Sequence, residues 1–168
     1  NVSGVFKDSY IVDFFDLPHN HKEKDLQNGL IGSLKEFILE LGLGFAFIGQ
    51  EYRVQVGNED FYIDLLFFHR TLQCLVAFEL KVGKFKPSDL GQLEFYLEAL
   101  DRDVKQPQEN PSIGVLLCRE KNDEVVEYAL SRTLSPTVIS QYKTKLIPKE
   151  ILQQKMNELY EQLENEEN

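Results

Sequence analysis

The chain has 168 residues, 42% of them hydrophobic, which is enough for one substantial core and points to a single compact domain. No run of about 18 uninterrupted apolar residues occurs and the start "NVSGVFKDSY" has no basic region followed by an apolar one, so neither a membrane span nor a secretory signal is read here. The formal net charge of −10 argues against strong nonspecific phosphate binding, since that binding is mostly electrostatic.

Residues 5–17, "VFKDSYIVDFFDL", are apolar enough to dock on something and end at Pro18 and the polar "HNHKEK", so residues 1–20 read as an arm and linker. The first residue is Asn, not Met, which suggests a piece of a longer parent protein. From Glu23 to Leu41 the residues Leu26, Leu30, Leu34, Phe37, Ile38 and Leu41 follow helical spacing, and Gly42 and Gly44 stop the helix. "FAFIGQEYRVQV" (45–56) predicts a strand, "GNED" (57–60) a turn, and residues 61–69 and 73–81 two further strands. Pro87 opens a second helix through Leu90, Leu93, Leu97 and Leu100. "SIGVLLC" (112–118) reads as a fully buried strand, 122–132 as a helix and 137–142 as an edge strand. An amphipathic helix over 148–164 closes the chain, running into an acidic end with five Glu among the last eleven residues. The expected architecture is α/β, a mixed sheet flanked by helices with an α-β-β-β-α-β core, spanning 21–147, followed by the 148–168 tail.

Cys74 and Cys118 lie in apolar runs without zinc-site spacing and read as buried, reduced thiols of a cytoplasmic protein. His19, His21 and His69 are too scattered for a triad or a zinc site, and no phosphate-binding glycine loop or nucleophile elbow is present.

The unusual residues are Asp64, Glu79 and Lys81, charges set inside strongly apolar strands. Glu79 and Lys81 are two apart and share a face. If the strands form a hairpin turning about Thr71–Leu72, partners sum to 143 and Asp64 faces Glu79, with Cβ atoms about 5 Å apart. Two carboxylates that close repel and lose hydration, so something positive must stand between them. Lys81 alone would make this a structural ion cluster; the favoured reading is a hard divalent cation, Mg²⁺ or Mn²⁺, with a backbone carbonyl near residue 80 as a further ligand and Lys81 acting on a water or a phosphate.

In the second helix Glu94, Glu98 and Asp101 form an acidic stripe expected to face solvent, which turns Gln92 inward, beside Phe95, Tyr96 and Ala99. Gln92 then either binds the attacking water or phosphate or is satisfied by a backbone carbonyl; spacing does not separate the two. Glu23 continues the apolar stripe of helix one and is a candidate extra metal contact, or a complement to the helix dipole. His69, Arg70, Lys84 and Lys86 supply local basic groups. The apolar arm and C-terminal helix leave a second class of function open, a catalytically idle module for protein-protein assembly or nucleic-acid binding, and an arm-exchanged homodimer fits either class.

With "YID" at Asp64, "ELK" at Glu79–Lys81 and "GQLEFYL" carrying Gln92, the sequence resembles the PD-(D/E)xK nuclease superfamily. Ile63 stands where that superfamily often has Pro. More narrowly, "ELGLGFAFIGQEYRVQVGNEDFYIDLLFFHR", "FELKVGKFKPSDLGQLEFYL" and "NPSIGVLLCREKN" are similar to the C-terminal domain of bacterial YhcG-like proteins. The resemblance implies a three-layer restriction-endonuclease-like fold, Mg²⁺-dependent cleavage of phosphodiester bonds in nucleic acid, with DNA foremost, and a missing N-terminal helical domain of the parent. It implies Asp64 and Glu79 as metal ligands, Lys81 acting on the nucleophilic water and Gln92 positioning it. Glu23 fits the superfamily's helix-one glutamate, although Gln27 can take the same place. Arg70, Lys84 and Lys86 are the expected nucleic-acid contacts.

Overall fold

A computed structural model describes residues 23–41, 44–133 and 137–141. In chain order these form helix α1 (Glu23–Leu41), strands β1 (Phe45–Val56), β2 (Glu59–His69) and β3 (Cys74–Lys84), helix α2 (Pro87–Asp103), strand β4 (Asn110–Glu120), helix α3 (Asp123–Leu130) and strand β5 (Thr137–Gln141). The arm expected at 1–20 and the helix expected at 148–164 lie outside the described residues.

The strands form one mixed sheet in the order β1-β2-β3-β4-β5. β1, β2 and β3 are antiparallel neighbours, whereas β4 and β5 run parallel to β3. The topology follows from the connections: short turns join antiparallel strands, and helices α2 and α3 carry the chain back for the parallel ones. The β1–β2 turn is a two-residue loop in which Gly57 and Asn58 both have positive φ, the backbone that matches the twist of a hairpin.

Alternating side chains give the sheet two apolar faces. On one, Leu65, Phe67, Val76, Phe78 and Leu80 pack with the α1 residues Leu30, Ile31, Leu34 and Ile38. On the other, Leu66, Leu75, Ala77 and Leu116 pack with Leu93, Leu97 and Leu100 of α2, and α3 adds Val126, Ala129 and Leu130 at the margin. The result is the expected three layers with a mixed sheet in the middle. β4 is buried without a break from Ser112 to Cys118, which explains its continuous apolar run.

Helix α2 sits unusually close to β4. A Cβ on Gly114 would stand 2.8 Å from Leu93 Cδ2 and 3.1 Å from Leu97 Cδ1, so glycine alone leaves room for both leucines. The start of α2 is held by Asp89, whose Oδ2 accepts the Lys86 N–H at 2.9 Å. The acidic stripe of α2 departs from expectation. Glu98 is exposed and pairs with Arg102 at 2.7 Å, but Asp101 Oδ1 accepts the Ser112 N–H at 2.9 Å and Glu94 Oε1 accepts from Thr133 Oγ1 at 2.5 Å. Two of the three carboxylates therefore anchor neighbouring backbone and loop, because α2 lies flush against β4 and the end of α3.

Both cysteines are buried and neither is in a disulfide, and the Cys118 thiol donates to the Ser140 carbonyl at 3.3 Å. Burial, then the charges of Asp101 and Glu109, push the Cys74 thiol up to about 12. His69 is not a surface base: it is fully buried, its Nδ1 accepts the Leu72 N–H at 3.0 Å and its ring stands edge-on to Phe45 at 4.7 Å. The apolar hairpin end absorbs it.

Candidate active site

The site is built where two strands part. β2 and β3 pair from His69–Cys74 to Leu65–Phe78, the register in which partners sum to 143, and the ladder stops there. Below that point β2 continues along β1 only, and β3 along β4 only. Asp64 and Glu79 are the first residues past the last pair, one on each arm of the fork. On β1, the bulge between Phe47 and Gly49 and the positive φ of Glu51 bend the edge of the sheet beside Asp64.

At the fork, Asp64 Oδ2 accepts the Leu80 N–H at 2.8 Å, so a side chain does what a backbone carbonyl would do in a continued ladder. Glu79 is 4% exposed on the face shared with Leu75 and Ala77. Burial first, then a hydrogen bond to Asp64 and the charge of Asp64, hold its carboxyl well above the ordinary value of 4.5, with Lys81 opposing them. Glu79 thus keeps its proton at pH values where exposed carboxyls are ionised.

Lys81, half-buried two residues beyond Glu79, donates from Nζ to Gln92 Oε1 at 2.8 Å. Gln92 does meet the trio, but from an exposed position rather than an inward one. One turn further along α2, Tyr96 is 5% exposed. Its hydroxyl is raised to about 12 by burial and by the charges of Glu79 and Asp64, against a hydrogen bond with Gln92. Tyr96 was legible only as a neighbour of Gln92, since residues four apart share a helix face; that it feels the charges of Glu79 and Asp64 needed the packing of α2.

The remaining candidates lie apart from this group. Glu23 opens α1, but its side chain is outside the described residues, and the described apolar side chains of α1 pack on the sheet face opposite the carboxyls. Arg70 is exposed at the hairpin end of β3, roughly 20 Å of strand away from Lys81. Lys84 and Lys86 are exposed and flank buried Phe85, whose N–H is held by the Glu120 carbonyl at 2.8 Å.

Among the described residues no group of three or more His, Cys, Asp or Glu side chains forms a cage. Asp64 and Glu79 are nonetheless the donors a hard divalent ion takes: Mg²⁺ is commonly held by one or two carboxylates and fills its other positions with water and substrate phosphate. The donor chemistry fits, because a cation beside Asp64 and Glu79 would favour the ionised Glu79 carboxylate that burial and the charge of Asp64 oppose.

Comparison with known proteins bears on the same region. The family model described as "YhcG PDDEXK nuclease domain" matches residues 3–160. The Escherichia coli (strain K12) protein named "Putative nuclease YhcG" is 41% identical over 142 residues, which are 84% of this chain and 38% of that protein. The chain thus spans well under half the length of that relative. Among solved structures, a repair endonuclease from Pyrococcus abyssi is similar over 79% of this chain and 50% of its own, with 17% identity and a TM-score of 0.45. A complex titled "Structure of EndoMS-dsDNA2 complex" is similar over 81% of this chain and 50% of its own, with 16% identity and a TM-score of 0.47. At that identity and score neither likeness bears on function.

Proposed function

We propose a hydrolytic function from one premise: the chain belongs to the YhcG PDDEXK nuclease family. The domain hydrolyses phosphodiester bonds in nucleic acid, with DNA as the substrate, in a reaction that depends on Mg²⁺ or Mn²⁺. The observation that carries this reading is the Asp64–Glu79 carboxyl pair at the strand fork, with Lys81 on the same face and held by Gln92.

Asp64 and Glu79 hold the cation, which when bound neutralises charge gathering on the phosphate and lowers the pKa of water. Lys81 has three N–H donors, of which one goes to Gln92, so two remain to aim at the attacking water and a phosphate oxygen. Water oxygen bonds to phosphorus as one P–O ester bond breaks, the water proton passes to solvent and the leaving oxygen takes one. Gln92 is a positioning residue, because it acts through the Lys81 head group. Lys84 and Lys86, exposed and just downstream of Lys81 on the chain, are the basic side chains this reading assigns to the substrate backbone, and Arg70 would be reached only by a strand running the length of β3.

The test is calorimetric titration of Mn²⁺ into the wild-type chain and into Asp64→Asn, with cleavage of labelled DNA and RNA followed in parallel. Binding and cleavage that both disappear in the variant are expected, as is loss of cleavage in Lys81→Ala. Cleavage equal in wild type and Asp64→Asn sinks the reading and favours an assembly module.

A further inference from the structure

Phe61, Phe95 and Tyr96 form one connected set of rings that begins at the candidate active site and ends in water. Phe61 and Phe95 have centroids 4.9 Å apart, and Tyr96 lies 6.4 Å from the first and 6.3 Å from the second. Tyr96 is buried one helical turn beyond Gln92, the residue that holds Lys81. Phe95, three residues beyond Gln92, is 41% exposed. Single exposed apolar side chains are ordinary on a protein surface. Phe95 differs in being braced from beneath by Phe61 and Tyr96, both packed in the α2-side core, and in standing about one turn from Gln92.

Charge says what such a ledge is for. The chain carries 28 Asp and Glu against 18 Lys and Arg, so a grip on phosphates alone is weak and falls steeply with salt. An aromatic face grips a base whatever its identity, at about 1–3 kcal/mol per base, with little dependence on salt. A duplex stacks its bases on one another and offers no face to a protein ring, whereas an unpaired nucleotide offers two.

We infer that Phe95, backed by Phe61, is a stacking ledge for an unpaired base beside the bond to be cut, so that the substrate class is nucleic acid with a single-stranded or unstacked nucleotide at the site. This rests on the nuclease reading above and narrows it.

The experiment measures binding of a labelled oligothymidylate and of a labelled blunt-ended duplex without a loop to the full chain in EDTA, at low and high salt. Phe95→Ala should weaken oligothymidylate binding about tenfold at both salt concentrations, Phe95→Trp should retain it, and duplex binding should be unchanged. Equal loss on both ligands, no loss on either, or no measurable oligothymidylate binding by the wild type overturns the ledge. A change in self-association by light scattering with unchanged affinity also overturns it, and assigns the face to protein contact. Cleavage of the same oligothymidylate after Mn²⁺ replaces EDTA separates the two ideas: if Asp64→Asn then cleaves as the wild type does, the nuclease reading fails, whereas the ledge stands or falls on the Phe95 affinities alone.

Discussion

Lys81 Nζ donates to Gln92 Oε1 across 2.8 Å, tying the strand that carries Glu79 to the first turns of α2. A lysine head group on four rotatable bonds is otherwise free to leave the carboxyl pair; the amide holds it in one place.

Gln92→Ala should therefore lower cleavage by about 10- to 100-fold, the range typical when a group that orients a catalytic residue is lost. Mn²⁺ binding should be unchanged, since Asp64 and Glu79 are untouched. Stability should move by less than about 0.5 kcal/mol, because Gln92 is exposed. Kinetics, calorimetry and a urea melt on one preparation check all three, and a large loss of stability would mean Gln92 is structural.

Glu79 makes a pH prediction whose sign follows from its raised pKa. Above the ordinary value of 4.5 the unfolded chain releases this proton while the metal-free native chain keeps it. Stability from this group is therefore fully present below about pH 4.5 and is lost as pH rises through the raised native value. Glu79→Gln should flatten that fall in EDTA, seen as a smaller difference between urea midpoints at pH 5 and pH 8. Divalent-ion binding should tighten over the same range and release protons, measurable as a dependence of calorimetric heat on buffer ionisation enthalpy. A wild-type slope no steeper than that of Glu79→Gln would refute the raised Glu79 pKa.

Gly114→Ala tests how α2 is seated. The added methyl would meet Leu93 Cδ2 at 2.8 Å, and both Leu93 and Leu97 are buried at 0% and 2% exposure, so neither can turn away. Overpacking of this kind costs about 1–3 kcal/mol. Because α2 carries Gln92 and Tyr96, activity should fall with stability; Gly91→Ala, on the same helix with open space around it, should lose neither activity nor stability. Equal thermal midpoints for the two variants would remove this account.

Local pattern carried much of the way. The apolar spacing of Leu30, Leu34 and Ile38 marked α1, and the unbroken apolar run ending at Cys118 marked β4, because burial of a periodic face is a property of the segment itself. The pairing sum of 143, expected on the condition of a hairpin turning about Thr71–Leu72, is the register observed, since a hairpin centred there leaves one register. Asp64 and Glu79 were visible as candidates because charge in an apolar strand is costly without a partner.

The residue pattern therefore carries the list of elements, their register in the hairpin and the side chains worth suspecting. Packing between elements sets the rest: β2 and β3 part at Asp64 and Glu79, Gln92 reaches Lys81 from the exposed side, and buried Tyr96 comes within the field of both carboxyls. It also turned Asp101 and Glu94 from a solvent stripe into anchors. The physical reason is that these are contacts between elements distant in sequence: they depend on how closely α2 lies on β4, which Gly114 permits, and no periodicity within a segment encodes the distance to its neighbour.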